Sequence, residues 1–206
     1  MNEKRHTELE VKFAADHVDW SEFREKMAGS NPCSFESFAH DDVFYKRGDN
    51  IVRHRIKGDG AGEMTVKHRK SEDSLLDRVE INLRFSTKVT TEDVDAFLLA
   101  TGYERLFTLR KVMVDVFDFR RDNFKIEAAM YDVARVDTYG LSGQRRFLEL
   151  EIKPGPDMSQ DSAKEMLGHW SNWAIYHLEL SAPLNLSLFE NYSKLVSPSV
   201  TTNYRI

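Results

Sequence analysis

The chain has 206 residues, of which 41% are apolar and 31% are charged, and this composition excludes disorder as the default state. The net charge of −5 excludes a global basic field that would attract nucleic acid or an anionic membrane surface. The single cysteine, Cys33, excludes an intramolecular disulfide, and no apolar run approaches the roughly 18 to 20 residues of a membrane helix. Because no basic-then-apolar leader opens the chain, we expect an intracellular, cytoplasmic protein.

Alternation of charged and apolar residues predicts about eight strands. In the first, residues 8–13 (ELEVKF), Glu8, Glu10 and Lys12 share one face and three apolar side chains share the other. In the sixth, residues 111–117, Lys111, Met113 and Asp115 are predicted to share the polar face opposite three valines. The remaining predicted strands are residues 42–46, 51–57, 64–70, 77–85, 124–133 and 147–153.

Four helices are predicted between and after the strands. The first begins near Asp19 and the second near Thr91, and each start carries a capping signal. The longest begins near residues 159–162 and continues to Leu178, and a short one covers residues 188–195. Since no linker or repeat divides the chain, we expect one α+β domain over residues 1–196, followed by a polar tail over residues 197–206.

The charged faces of the strands are separated by sign, with acids on the first and last strands and bases on the middle strands. An open sheet would expose these faces to water and need no ligand, whereas a closed or strongly curled sheet would point them at one another. Facing carboxylates then favour Mg²⁺ or Mn²⁺, and facing cations favour an anion; a triphosphate satisfies both. The acidic residues are Glu8, Glu10, Glu149 and Glu151, and the basic residues are Arg53, Arg55, Lys67 and Arg78.

These charged strands resemble, in order and spacing, the CYTH superfamily, also called the triphosphate tunnel metalloenzymes. The matching motifs are Glu8-x-Glu10-x-Lys12, Arg53-x-Arg55, Lys67, Arg78-x-Glu80 and Glu149-x-Glu151, and the resemblance spans residues 8 to about 192. It implies an eight-stranded antiparallel closed β-barrel, the triphosphate tunnel, with helices packed outside and a C-terminal helix. It also implies dependence on Mg²⁺ or Mn²⁺.

The resemblance implies roles for individual residues. Lys12 and Glu80 are expected in catalysis. Substrate phosphates are expected to be bound by Lys12, Arg53, Arg55, Lys67, Arg78 and Lys111. The metal is expected to be bound by Glu8, Glu10, Glu80, Asp132, Glu149 and Glu151.

Three positions depart from the family pattern or leave it open. Met113 stands where an arginine is usual, and we expect this position to face the polar tunnel. Asn82 stands where a glutamate is common. Asp132 matches a family aspartate, but a shifted alignment would favour Glu127 instead.

The family contains class IV adenylyl cyclases and several kinds of triphosphatase, so three functions stay open. The first is a hydrolase that removes the terminal phosphate from tripolyphosphate, a nucleoside triphosphate or thiamine triphosphate. The alternatives are an adenylyl cyclase and a non-catalytic module that binds polyphosphate or nucleotides. We expect a small-molecule triphosphate as the binding partner and no association with a membrane. Nucleic acid is expected to bind only through a 5′-triphosphate end. A homodimer is left open as a possible oligomeric state.

Overall fold

A computed structural model describes residues 6–57, 62–69, 78–85, 89–121, 124–155, 157–185 and 187–194. Within these ranges, only the backbone is described for residues 6–8, 57, 67–69, 78–80, 121 and 194. The polar tail and the glycine-rich turn therefore lie outside the described residues, except for Gly62. Among the described residues, no helix is both long and apolar enough to cross a membrane.

Eight antiparallel strands in the described part of the chain confirm the predicted sheet. Their pairing order is β1-β5-β4-β3-β2-β6-β7-β8, and β8 pairs in turn with β1, which is the order of a closed barrel. The β1–β8 ladder joins six residue pairs, whereas the β1–β5 ladder joins three. The strands are β1 (His6–Ala14), β2 (Ser34–Arg47), β3 (Asn50–Lys57), β4 (Gly62–Arg69), β5 (Arg78–Arg84), β6 (Glu104–Arg121), β7 (Phe124–Asp137) and β8 (Gly140–Pro154).

The four helices found in the described ranges begin where the sequence predicts them. Helix α1 (Trp20–Gly29) follows Asp19, whose carboxylate accepts backbone N–H groups of the first turn, and α2 (Thr91–Ala100) follows Thr90, which forms a capping box with Asp93. Helix α3 (Gln160–His177) follows Ser159, and α4 (Leu188–Lys194) is short. These caps satisfy N–H groups that the first helical turn leaves without partners.

The largest hydrophobic core lies outside the sheet. Phe23 and Met27 of α1 and Leu167 of α3 pack with the apolar faces of β1, β6, β7 and β8, for example with Leu148 and Leu150. A smaller core forms where Val94 and Leu98 of α2 pack on β2 and β3. Because the apolar faces point outward against helices, the charged faces of the same strands point inward.

Helix α4 closes one end of the sheet interior. Leu188 and Tyr192 belong to an apolar cluster with Phe107, Tyr131 and Phe147, whose side chains lie on the inner faces of β6, β7 and β8. The Tyr192 hydroxyl lies 2.9 Å from the Val133 carbonyl oxygen and 2.8 Å from that of Gly143. The tyrosine therefore fixes the helix to two strands at this end.

A bulge in β6 makes the predicted position of Met113 wrong. The ladder between β6 and β7 shifts by one residue between Lys111 and Met113, so the side chains beyond it exchange faces. Lys111 faces inward as predicted, but Met113 faces outward, where Arg24 Nη2 lies 3.7 Å from its sulfur, and Val114 turns inward. The polar tunnel therefore does not contain the Met113 side chain.

Strand β2 is longer than predicted. It begins at Ser34 rather than at Asp42, and its ladder with β6 shifts between Phe38 and His40. Its side chains alternate throughout, and Ser34 and Phe38 both line the cavity. Polar and apolar residues are mixed on both faces of the first half, so hydropathy with a period of two does not predict a strand there.

We expect Tyr192→Phe to lower the free energy of unfolding by about 0.5–1.5 kcal/mol, because two carbonyl groups lose their shared hydroxyl donor. Chemical denaturation would measure the change. Tyr176→Phe is the matched control, since Tyr176 on α3 is 80% exposed and should be neutral. Equal stability of the two variants would show that this hydroxyl does not anchor α4.

Candidate functional site

The inner faces of the strands enclose one cavity of about 720 Å³. All eight strands and α4 contribute side chains to it. Seven of the predicted site residues line it: Glu10, Lys12, Arg53, Arg55, Lys111, Glu149 and Glu151. The predicted roles of Glu8, Lys67, Arg78 and Glu80 concern side chains outside the described part of the structure. The fold thus brings residues from distant parts of the sequence together in one cavity.

Lys12 lies between two of the predicted metal ligands. Its Nζ is 2.9 Å from Glu10 Oε1 and 3.1 Å from Glu149 Oε2. Burial alone would lower the pKa of Lys12, but the two carboxylates outweigh it and raise the pKa above its ordinary value. Lys12 is therefore a permanently charged cation in contact with the carboxylates.

Arg55 is held by a carboxylate that sequence reasoning did not identify as part of the site. Asp42 on β2 is buried, and its two oxygens lie 2.8 and 3.1 Å from the Arg55 guanidinium. Burial would raise the pKa of Asp42, but Arg55 and then Arg53 hold it well below its usual value. A signal was available, because Asp42 lies on the same face of its strand as His40 and Phe44, which also line the cavity.

Arg53 has weaker protein partners than Arg55. It donates a hydrogen bond of 2.9 Å to the Thr65 hydroxyl and lies 3.9 Å from a Glu63 oxygen. Thr65 in turn donates to Asn82 Oδ1 at 2.7 Å. The amide at position 82 therefore fits a hydrogen-bond chain on the wall formed by β3, β4 and β5.

Lys111 is the one cavity lysine in the described structure whose pKa is lowered. Its Nζ lies 3.7 Å from the centre of the Tyr131 ring. Burial and the nearby Arg55 charge lower its pKa to about 7. Tyr131 donates a hydrogen bond to Glu149 at 2.9 Å, and burial raises its own pKa. The part of the cavity formed by β6 and β7 therefore contains a lysine whose charged form an incoming anion would stabilise.

Carboxylates and lysines alternate at the end of the cavity away from α4. Lys153 Nζ lies 3.2 Å from oxygens of both Glu127 and Glu151, and Lys125 lies 2.8 Å from Asp118. Burial raises the pKa of the Glu151 carboxyl to about 7, with a contribution from the neighbouring Glu127 charge. Sequence reasoning did not assign Lys125, Lys153 or Asp118 to the site.

The structure decides between the alternatives Asp132 and Glu127. Glu127 lines the cavity, whereas Asp132 faces outward and binds the Arg146 guanidinium at 2.7 and 3.0 Å. Asp132 also accepts a hydrogen bond from the Trp20 indole at 3.3 Å. A period of two already places Asp132 on the face of Met130, which lies in the outer core. The placement of Asp132 in the tunnel is therefore a wrong prediction.

The chemistry of the cavity carboxylates matches a hard divalent cation. Among the described residues, no group of three or more acidic, histidine or cysteine side chains is arranged to hold a metal ion. However, Glu10, Glu149 and Glu151 supply carboxylate oxygens on adjoining strands, and burial raises the pKa of the Glu151 carboxyl. Carboxylate oxygens are the donors that hard cations such as Mg²⁺ and Mn²⁺ prefer, so the chemistry of these donors is compatible with such an ion.

The contacts of the two arginines predict different costs of truncation. Arg55→Ala should lower the free energy of unfolding by about 3–5 kcal/mol, because it leaves the buried Asp42 carboxylate without its main partner. Arg53→Ala should cost clearly less, since the Thr65 hydroxyl keeps its bond to Asn82. Thermal and chemical denaturation of both variants would measure this. Equal stabilities would mean that the Asp42–Arg55 pair is not retained in solution.

The lowered pKa of Lys111 predicts that stability depends on pH. The unfolded chain keeps this proton up to a pKa near 10.5, whereas the folded protein loses it above about 7, so the cost of burying the cation is fully present below pH 7. Lys111→Met should therefore be more stable than wild type by on the order of 2 kcal/mol below pH 7, and this advantage should shrink as the pH rises.

Lys111→Arg is the control, since arginine keeps its proton throughout this range. It should be no more stable than wild type at any of these pH values. Denaturation curves at several pH values would compare the three proteins. A constant difference between wild type and Lys111→Met would show that Lys111 titrates normally.

Comparisons with known proteins identify the fold. Neither a protein-family model nor a curated protein matches the chain. Among solved structures, the PH1819 protein of Pyrococcus horikoshii OT3 matches with a TM-score of 0.64 and 19% identity, over 91% of this chain and 99% of that chain. A conserved hypothetical protein of Pyrococcus furiosus matches with a TM-score of 0.61 and 16% identity, over 89% and 98% of the two chains.

A third structure, the PH1012 protein of Pyrococcus horikoshii OT3, matches with a TM-score of 0.58 and 17% identity, over 87% and 96% of the two chains. At these identities the likeness concerns the fold. The chain therefore shares the fold of these Pyrococcus proteins.

Proposed function

We propose that the chain is a hydrolase, dependent on Mg²⁺ or Mn²⁺, that removes the terminal phosphate from a triphosphate inside the cavity. The observation that supports this most is that basic and acidic side chains line the same cavity. Lys12, Arg55 and Lys111 approach from β1, β3 and β6, and Glu149 and Glu151 approach from β8. A triphosphate with its metal supplies the opposite charge to both groups.

The basic residues bind and orient the phosphates in this proposal. Arg55 is already oriented by Asp42, so its guanidinium loses little freedom when an anion arrives. Lys111 gains a stabilising partner, because phosphate charge offsets the burial that lowers its pKa. Lys12 neutralises charge that develops on the transferred phosphoryl group. Arg53 is a further phosphate-binding residue in this proposal. The resemblance to the CYTH superfamily adds Lys67 and Arg78.

The carboxylates would hold the metal. Glu10, Glu149 and Glu151 are the described candidates, and Glu8 and Glu80 join them by resemblance. When bound, the ion neutralises phosphate oxygens and orients the chain of phosphates. A cavity carboxylate positions a water for in-line attack on the terminal phosphorus, and α4 excludes bulk water from one end.

Closure by α4 favours hydrolysis over cyclisation. The helix and its aromatic neighbours occupy the interior at that end, so a nucleoside has little room to enter fully. The terminal phosphate would then lie deepest in the cavity. Cyclisation instead requires the ribose and the first phosphate to reach the reacting position.

Product analysis with purified protein tests the proposal. With Mg²⁺ or Mn²⁺ and ATP, tripolyphosphate or thiamine triphosphate, a hydrolase releases orthophosphate. A cyclase would release pyrophosphate and a cyclic nucleotide, and a binding module would release nothing. Either of the last two results would overturn the proposal.

Glu151→Gln separates a metal role from a structural one. Without metal, the variant should be more stable than wild type above pH 7, by on the order of 1–3 kcal/mol, because it removes a buried charge whose pKa is raised. With metal, the variant should lose turnover and the stabilisation that the metal gives wild type. Glu165→Gln on the exposed face of α3 is the control and should change neither. A destabilised Glu151→Gln would assign this glutamate to structural ion pairs.

A further inference from the structure

One wall of the charged cavity is apolar. Phe38 on β2, Val114 and Val116 on β6, and Ala129 on β7 all line it. They are neighbours across the ladders, because Phe38 pairs with Val114 and Val116 pairs with Ala129. We call these four residues the apolar wall. Phosphates and a metal ion need no such surface.

The bulge in β6 places the two valines of the apolar wall inside the cavity. The shift after Lys111 turns Val114 and Val116 inward in place of Met113 and Asp115. The shift between Phe38 and His40 in the β2–β6 ladder reflects the same extra residue of β6, because β2 keeps one face towards the cavity on both sides of the shift. Bulges of this kind re-aim side chains next to functional sites.

Phe38 remains available to a ligand. Its ring stacks on His40, with 5.6 Å between ring centres and 29° between planes, yet 40% of the residue is exposed. The aromatic residues at the α4 end differ, because Phe44, Phe107 and Phe189 pack on one another at 5.2 to 5.7 Å. The aromatic rings at the α4 end therefore contact one another, whereas the Phe38 ring is partly exposed to the cavity.

The apolar wall lies between the cations and the end of the cavity away from α4. His40, next to Phe38, pairs with Lys111, and Asp42 beyond it holds Arg55. On the other side of Phe38 along β2, the cavity side chains of Glu36 and Ser34 are exposed. A triphosphate that enters from this end and reaches Lys111 and Arg55 would leave its organic group beside Phe38.

We propose that the apolar wall binds the ring of an organic triphosphate, and that Phe38 stacks on this ring. The inference rests on the proposed function and narrows its substrate class from triphosphates in general to those that carry a flat organic group, such as a nucleobase. Stacking of a base on an aromatic side chain contributes enough to affect affinity about tenfold. Inorganic tripolyphosphate would bind the same cations but gain nothing from the wall.

Phe38→Ala tests this inference with ATP and tripolyphosphate as probes. KM and kcat for orthophosphate release, and Kd by calorimetry, would be measured for both compounds. We expect KM and Kd for ATP to rise about tenfold and those for tripolyphosphate to change less than twofold. Phe38→Tyr should retain the affinity for ATP, since it keeps the stacking surface.

Phe35→Ala is the matched control. Phe35 lies on the same strand with a similar exposure of 48%, but it faces outward and packs on Phe117 at 4.6 Å. It should leave the ratio of ATP affinity to tripolyphosphate affinity unchanged. Circular dichroism and melting temperature would show that each variant is folded.

The outcomes separate the two proposals. If Phe38→Ala weakens ATP and tripolyphosphate equally, or neither, the stacking role is wrong while the hydrolase proposal stands. If wild type neither binds nor cleaves either compound, the proposed function fails and the inference fails with it. A selective loss of ATP affinity, with retained tripolyphosphate affinity, would support the inference.

Discussion

The central constraint on this protein is that its sheet is inverted relative to an ordinary globular core. The charged faces of the strands point into the barrel, so the apolar faces point outward and must be covered. Helices α1 and α3 cover β1, β6, β7 and β8, and α2 covers part of β2 and β3. Hydrophobic burial outside the barrel therefore supplies the stability that allows charged groups to be held inside it.

Charges held inside require partners, and their partners define the site. Asp42 fixes Arg55, and Glu10 and Glu149 fix Lys12, so these cations are oriented before any ligand arrives. Lys111 and Glu151 are less well compensated, and the pKa of each is shifted towards the neutral form, to about 7. Incomplete compensation of buried groups is characteristic of sites that receive a charged ligand.

The ends of the barrel differ, and this difference gives the cavity a direction. Aromatic residues and α4 fill one end, whereas lysines and carboxylates alternate at the other. The apolar wall interrupts the charged surface between them, and its two valines face the cavity because β6 has a bulge after Lys111. Basic side chains, carboxylates and the exposed ring of Phe38 therefore lie at different positions along the same cavity.

The sequence by itself determined the strands and most of their faces, because alternation with a period of two is a local property of the chain. Inward-facing Glu10, Lys12, Arg53 and Glu149 follow from it directly, and the helix starts follow from equally local capping signals. The resemblance of these motifs to the CYTH superfamily predicted that these residues share one site.

Only the tertiary structure decided what depends on the neighbouring strand. The bulge that turns Met113 outward is a mismatch between β6 and β7, so nothing in β6 alone predicts it. The Asp42–Arg55 ion pair depends on the register of β2 against β3. The hydrogen bonds of the Tyr192 hydroxyl depend on carbonyl groups that β7 and β8 present near α4. Register and closure arise from contacts between distant segments, whereas periodicity arises within one segment.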